Sequence, residues 1–165
     1  MTPVKDPWAH VWLGLRLFAI DPVGLGGIAL RARVGPARDA LVAALPDFGL
    51  PKKRLHRALS NAELYPSLDF AATLSAGQPV FRAGLLCKPA VFHLAMAERC
   101  PAELAAKLGA RLDAGQSALI AFDEGATPDE GLPPTLSDRL ALRLDLTDLR
   151  PDARPALDHD DVMAA

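Results

Sequence analysis

The chain has 165 residues, of which half are hydrophobic and 23% are charged, with a formal net charge of −2 at pH 7. This composition fits one globular domain with a sizeable core and excludes a disordered or disulfide-dependent chain. The near-neutral charge excludes a broad basic surface, so no nucleic-acid partner is expected. The apolar run at 11–20 contains Arg16 and is too short for a membrane span, so we expect a cytoplasmic protein.

Hydrophobic periodicity predicts helices that alternate with strands along the chain. In the first half of the chain, the pattern predicts a helix over 8–19, a strand over 28–32, a helix over 37–45, a loop over 51–57, a short helix over 68–74 and an extended arm over 78–86. In the second half, it predicts a strand over 90–95, a helix over 101–112, a strand over 118–122, a polar loop over 123–134, a helical turn over 135–139 and a strand over 140–146. This alternation predicts a parallel α/β sheet.

Some of these segments have particularly informative signals. Pro101 stands at a helix start, and leucines at 104, 108 and 112 follow at a spacing of four. Leucines alternate with other residues from 140 to 146, which predicts a strand with one buried face. The four basic residues of segment 51–57 are interpreted as a solvated loop. The order strand, glycine- and proline-containing loop, helix at 28–45 is typical of nucleotide-binding α/β domains.

The segment 19–39 reads AIDPVGLGGIALRARVGPARD and resembles the opening of magnesium chelatase D subunits of bacteriochlorophyll synthesis. Further stretches resemble the same family in the same order: LDFAATL at 68–74, GLL at 84–86, LAMAER at 94–99, DEG at 123–125 and LSDRLA at 136–141. The matching stretches span nearly the whole chain, from about residue 15 to about residue 150.

This resemblance implies an AAA+ fold, similar to P-loop NTPases, with a parallel sheet flanked by helices and a helical lid that is absent or truncated. Residues 1–150 would form a degenerate AAA+ α/β domain. Residues 151–165, which turn acidic and proline-bearing, would start an acidic linker or the helical lid region.

The resemblance also implies a function within a complex. Magnesium chelatase inserts Mg²⁺ into protoporphyrin IX at the expense of ATP. The implied partners are the motor ATPase I subunit and the porphyrin-binding H subunit, together with copies of the chain itself in a ring, hexameric by analogy. ATP and Mg²⁺ would be used by the complex, with no cofactor tightly bound to this domain.

The residues themselves indicate a disabled nucleotide site. A working P-loop reads G-x-x-x-x-G-K-S/T, in which backbone amides and the lysine hold the phosphates. The corresponding loop lacks the Gly-Lys-Ser/Thr sequence, and its candidate site residues are Arg33, Gly35, Pro36, Ala37, Arg38 and Asp39. Pro36 removes an amide donor, and Asp39 places a negative charge near the phosphate position. The arginines, with Arg31, could partly compensate, which leaves weak nucleotide binding open.

A second test concerns the acidic pair that ends the next strand in the motor subunit and holds Mg²⁺ there. Here the corresponding positions are Ala95 and Met96, and the nearest acid, Glu98, is expected to face elsewhere. The polar residue that positions water in the following loop falls near Ala126 or Thr127. These losses predict little or no ATP hydrolysis by this domain.

Arg139 is the candidate catalytic residue, because Leu136-Ser137-Asp138-Arg139 resembles the run before an arginine finger in the motor subunit. Such an arginine stabilises charge on a neighbour's transferring phosphoryl group. An ion pair with Asp138 or another surface acid is the alternative role for Arg139.

Other features are less specific. His93 is interpreted as a satisfied core histidine, and the acidic residues at 123, 124, 129 and 130 as a docking surface or a solvated loop. No metal site is predicted. Three functions stay open: a non-hydrolysing AAA+ platform, a nucleotide-binding or weakly active ATPase domain with an unconventional P-loop, and a plain α/β interaction module.

Overall fold

The computed structural model describes residues 7–127 and 129–150. Within them, the helices are α1 (Pro7–Ile20), α2 (Pro36–Ala43), α3 (Asn61–Leu64), α4 (Phe70–Ala76), α5 (Ala102–Asp113) and α6 (Pro134–Ser137), with 3-10 turns at Leu85–Cys87 and Ala97–Arg99. The strands are β1 (Gly27–Arg31), β2 (Lys52–Leu55), β3 (Ser67–Leu68), β4 (Phe81–Arg82), β5 (Val91–Leu94), β6 (Ala118–Asp123) and β7 (Leu142–Asp145). The segment 151–165, predicted to start a linker or lid, lies outside the described residues.

Five strands form one sheet in the order β2-β5-β6-β1-β7. All four neighbouring pairs are parallel, which confirms the predicted parallel α/β sheet. Strand β1 lies between β6 and β7, and its Ile28 is opposite Ile120 on one side and Leu142 on the other. Because the strands are parallel, their carboxyl ends meet at one edge, where α/β sheets commonly bind ligands.

Both faces of the sheet are covered by helices. Along β6, Leu119 and Ala121 pack into the core beneath α5 and α6, whereas Ile120 and Phe122 pack into the core beneath α1 and α2. This alternation follows from the period of two in a strand. Burial on both faces explains why β6 and β5 are recognisable in the sequence as nearly continuous apolar runs.

Helix α1 packs on the same face of the sheet as α2. Trp8 is fully buried, its ring stacks on Trp12 at 5.4 Å, and its indole N–H donates to the carbonyl of Arg150 at 2.8 Å. A hydrogen bond therefore joins the start and the end of the described part of the chain. No helix in the described part of the chain is long and apolar enough to cross a membrane.

The interpretation of segment 51–57 as a loop was wrong for its first half. Residues Lys52 to Leu55 form β2, which pairs with β5 at the edge of the sheet. Only Leu55 of this strand is buried, so its sequence lacks the apolar run expected of a strand. Edge strands commonly carry lysine, which opposes pairing with other chains.

A small arm projects between β2 and β5. Strands β3 and β4 pair antiparallel, and α4 lies between them in sequence. The Asp69 side chain caps α4 by accepting from the amide of Ala72 at 3.0 Å, and Gly77 ends the helix in a left-handed conformation with φ 67°. The predicted helix is confirmed with its start two residues later.

Candidate nucleotide site

The candidate P-loop connects β1 to α2 at the carboxyl edge of the sheet. Helix α2 starts at Pro36, which cannot donate an amide proton to a phosphate. A cleft of 290 Å³ beside the turn is lined by Arg33, Gly35, Pro36, Ala37 and Arg38, together with residues that follow β7. Five of the six predicted P-loop residues therefore share one cleft. Asp39 instead lines a second cleft, of 430 Å³, at the ends of β2 and β5.

The arginines of this segment bind the protein's own loop after β6. Arg31 donates to the carbonyl of Thr127 at 2.6 Å and pairs with Asp123 at 3.4 Å. Arg33 donates to the carbonyl of Ala126 at 3.2 Å. The predicted water-positioning residues therefore contribute backbone carbonyls that hold arginines.

Arg38, in the first turn of α2, also binds the loop after β6. Its guanidinium pairs with the carboxylate of Glu124 at 2.6 Å and lies 4.5 Å from the ring centroid of Phe122. The acidic loop was predicted to be a docking surface or solvated. That interpretation was wrong for Asp123, which is buried, and for Glu124, whose side chain is only 18% exposed. Asp129 is exposed.

Ala95 and Met96, the predicted positions of the acidic pair, directly follow β5 and carry no carboxylate. Met96 has a left-handed backbone, with φ 50°. Glu98 does not face elsewhere, contrary to expectation: its carboxylate accepts from the amide of Glu124 at 3.0 Å, and its side chain is 3% exposed. Glu98 therefore holds the loop after β6 in place.

The second cleft contains a histidine with one ring nitrogen that has no hydrogen-bond partner among the described residues. His93 lines it together with Arg54, His56 and Asp39. Its Nε2 atom is buried and has no hydrogen-bond partner among the described residues, so the prediction of a satisfied core histidine was wrong. Burial, and then the positive charges of Lys52 and Arg54, lower the pKa of His93 to about 4.

This pKa predicts a loss of stability in mild acid. A folded-state pKa of about 4, against 6.5 for an ordinary histidine, means that the unfolded chain takes up the proton first. We therefore expect His93 to reduce the free energy of unfolding progressively as the pH falls from 6.5 to about 4. Thermal melts across this window should show a shallower pH dependence for His93→Gln than for the native chain. His56→Gln, in the same cleft, is the matched control, and an equal flattening by both variants would contradict the assignment.

Arg139 lies between α6 and β7, on the far side of the sheet from α1. Its guanidinium forms two bonds of 2.7 Å to the carboxylate of Asp113 at the end of α5 and donates to the carbonyl of Thr135 at 2.7 Å. The ion pair lowers the pKa of Asp113 and raises that of Arg139. The acid that binds Arg139 in this chain is therefore Asp113.

Three residues that organise the site were missed as such by sequence reasoning: Glu98, Asp123 and Glu124. The signal in the sequence was their charge at or within four residues of the end of an apolar strand, since carboxyl ends of parallel strands meet at one edge. Within residues 7–127 and 129–150, no group of three or more His, Cys, Asp or Glu side chains is arranged to hold a metal ion.

The parallel sheet, with the candidate P-loop between β1 and α2, has an AAA+ α/β fold, as comparison with solved structures shows. A candidate ATPase from Cytophaga hutchinsonii superposes with a TM-score of 0.60 at 16% identity, over 96% of this chain and 54% of that one. A model of the complex between subunits BchI and BchD of magnesium chelatase, based on a cryo-EM reconstruction, superposes with a TM-score of 0.57 at 18% identity, over 92% of this chain and 61% of that one.

Sequence comparison is more specific. The chain is 53% identical over 143 residues to the magnesium-chelatase 60 kDa subunit of Cereibacter sphaeroides, and 47% identical over 146 residues to that of Rhodobacter capsulatus. Each match covers 87% of this chain, and the chain spans about a quarter (26%) of the length of these relatives. No family model matches. The chain is thus a homologue of magnesium-chelatase 60 kDa subunits over most of its own length.

Proposed function

We propose that this chain is an AAA+ platform domain of magnesium chelatase that hydrolyses little or no ATP itself and assembles with the motor ATPase. The identity to two magnesium-chelatase subunits supports the assignment to this complex. In this proposal the chain forms a ring, hexameric by analogy, in the cytoplasm. The ring couples the motor I subunit to the porphyrin-binding H subunit during bacteriochlorophyll synthesis.

One observation carries the non-hydrolysing role: the cationic groups of the candidate P-loop bind the protein itself. Arg31, Arg33 and Arg38 all donate to the loop after β6. The lysine and the hydroxyl of a working P-loop are absent from residues 31–39, and the end of β5 offers no carboxylate for Mg²⁺. Phosphoryl transfer depends on cations and a nucleophile positioned at the phosphate, and the bonds from these arginines to the loop after β6 support a role without hydrolysis.

In the complex, ATP and Mg²⁺ would be bound by the motor subunit, and Mg²⁺ would also be the ion inserted into protoporphyrin IX. The contribution of this domain would be Arg139, presented to the nucleotide of a neighbouring subunit. The guanidinium of Arg139 is bound to Asp113 and Thr135 of the same chain, so its presentation to a neighbour would require it to share or release these partners.

A nucleotide-binding domain with an unconventional P-loop is the second candidate function. The cleft of 290 Å³ beside Gly35 favours it, because Arg33 and Arg38 both line that cleft. Binding there would require the arginines to exchange their protein partners for phosphate oxygens.

A nucleotide titration separates the two functions. We expect calorimetry of the isolated chain with ATP and Mg²⁺ to show no saturable binding at micromolar concentrations, and phosphate release no faster than in buffer. The motor subunit, measured in parallel, provides the positive control. Tight, Mg²⁺-dependent binding by this chain would support the second function. Failure to co-purify with a AAA+ partner would favour a plain interaction module.

A further inference from the structure

The carboxylate of Glu124 lies against Arg38, an arginine in the first turn of α2. The bond from Arg38 to Glu124 is 2.6 Å long and joins segments 86 residues apart. Both side chains are largely withdrawn from water, with 15% of Arg38 and 18% of Glu124 exposed. A charge-assisted bond in such surroundings is stronger than a surface ion pair.

Glu124 is held in this position from two further directions. Its own amide donates to the buried carboxylate of Glu98, and the neighbouring amide of Gly125 donates to Asp123 at 2.9 Å. On the opposite side, the ring of Phe122 packs against the Arg38 guanidinium. The pair is therefore a built site and not a chance surface contact.

We propose that Glu124 is an internal ligand that fills the anion position of this domain, defined here as the space at the guanidinium of Arg38 beside the start of α2. A carboxylate supplies two acceptor oxygens and one negative charge, as a phosphate group would supply acceptors and charge to a P-loop cation. The loop after β6 is thus held by its own carboxylate and needs no bound phosphate. This inference rests on the proposed function, which interprets the site as a degenerate nucleotide site.

A tethered ligand has an advantage over a free one. Glu124 competes at a high effective concentration because it is part of the same chain. A free phosphate would have to displace it from Arg38. Removal of the Glu124 carboxylate would leave the partly buried guanidinium of Arg38 without its partner. This loss lowers the free energy of unfolding until another anion binds the guanidinium.

The test uses the 165-residue chain and inorganic pyrophosphate as the probe, followed by the unfolding temperature. We expect Glu124→Ala to unfold at a lower temperature than the native chain and to regain about 3–6 °C at a tenfold excess of pyrophosphate over its Kd. The native chain should show no such gain. Asp129→Ala, which removes an exposed acid from the same loop, is the matched control and should resemble the native chain in both respects.

Two further variants make the result decisive. The double variant Arg38→Ala/Glu124→Ala should lose the pyrophosphate response, because the cation that binds it is gone. If Glu124→Ala does not fold, Glu124→Gln keeps the shape of the side chain without its charge and should still gain the response. The inference is overturned if the Glu124 variants respond to pyrophosphate no more than Asp129→Ala does. That outcome would leave the proposed function standing, since the latter is tested by ATP titration and by assembly with the motor subunit.

Discussion

Substitution of Arg139 by alanine is expected to slow ATP-driven Mg²⁺ insertion by the assembled complex by on the order of 10³-fold. In the proposed function this guanidinium stabilises the charge that develops on the phosphoryl group of a neighbouring subunit's ATP. Loss of the group removes an interaction that exists mainly in the transition state, so the turnover number should fall much more than the affinity for ATP. Chelation and phosphate release by the reconstituted complex measure both quantities.

Asp113 provides the means to separate catalysis from folding. If Arg139 only holds α5 to the α6–β7 connection, Asp113→Ala should change turnover as much as Arg139→Ala does, because each breaks the same ion pair. In the catalytic role, Asp113→Ala should be far milder, since the guanidinium remains. Arg143→Ala, which removes an exposed arginine from the neighbouring strand, controls for net charge. Unchanged ATP hydrolysis and chelation by the Arg139→Ala complex would contradict the catalytic role.

Substitution of Gly26 by alanine is expected to lower the free energy of unfolding by about 2–5 kcal/mol. Gly26 has a left-handed backbone, with φ 68°, which costs alanine energy by itself. A Cβ atom there would also lie 2.2 Å from the carbonyl oxygen of Arg139, and a backbone atom cannot rotate away as a side chain can. Chemical denaturation of the isolated chain measures the loss.

Gly115→Ala is the matched control for this clash. Gly115 has nearly the same left-handed backbone, with φ 64°, but a Cβ atom there would meet no other atom within 4 Å. The control should therefore lose only the conformational part, about 1 kcal/mol. Equal losses in the two variants would show that the packing of Gly26 against Arg139 is unimportant. Since Gly26 supports the backbone of Arg139, its alanine variant should also reduce turnover in the complex.

The elements that the sequence predicted well are those with a local and repeating signal. Helix α5 has leucines at a spacing of four, and those at 104, 108 and 112 are all buried. Strands β5 and β6 are apolar because both faces of a parallel sheet are covered. Strand β2 gave no such signal, because an edge strand with one buried residue resembles a polar loop.

The amino-acid sequence by itself determined the parallel α/β class and the absence of a Gly-Lys-Ser/Thr sequence from residues 31–39. Packing cannot supply a lysine to this loop, nor carboxylates at Ala95 and Met96. Only the tertiary structure decided what the remaining charges do. The partners of Arg38 and Arg139 lie 86 and 26 residues away, and hydrophobic periodicity carries no information about such pairs. The order of the strands brings the ends of β1 and β6 together, and this proximity turns Glu124 from an apparent surface acid into the partner of Arg38.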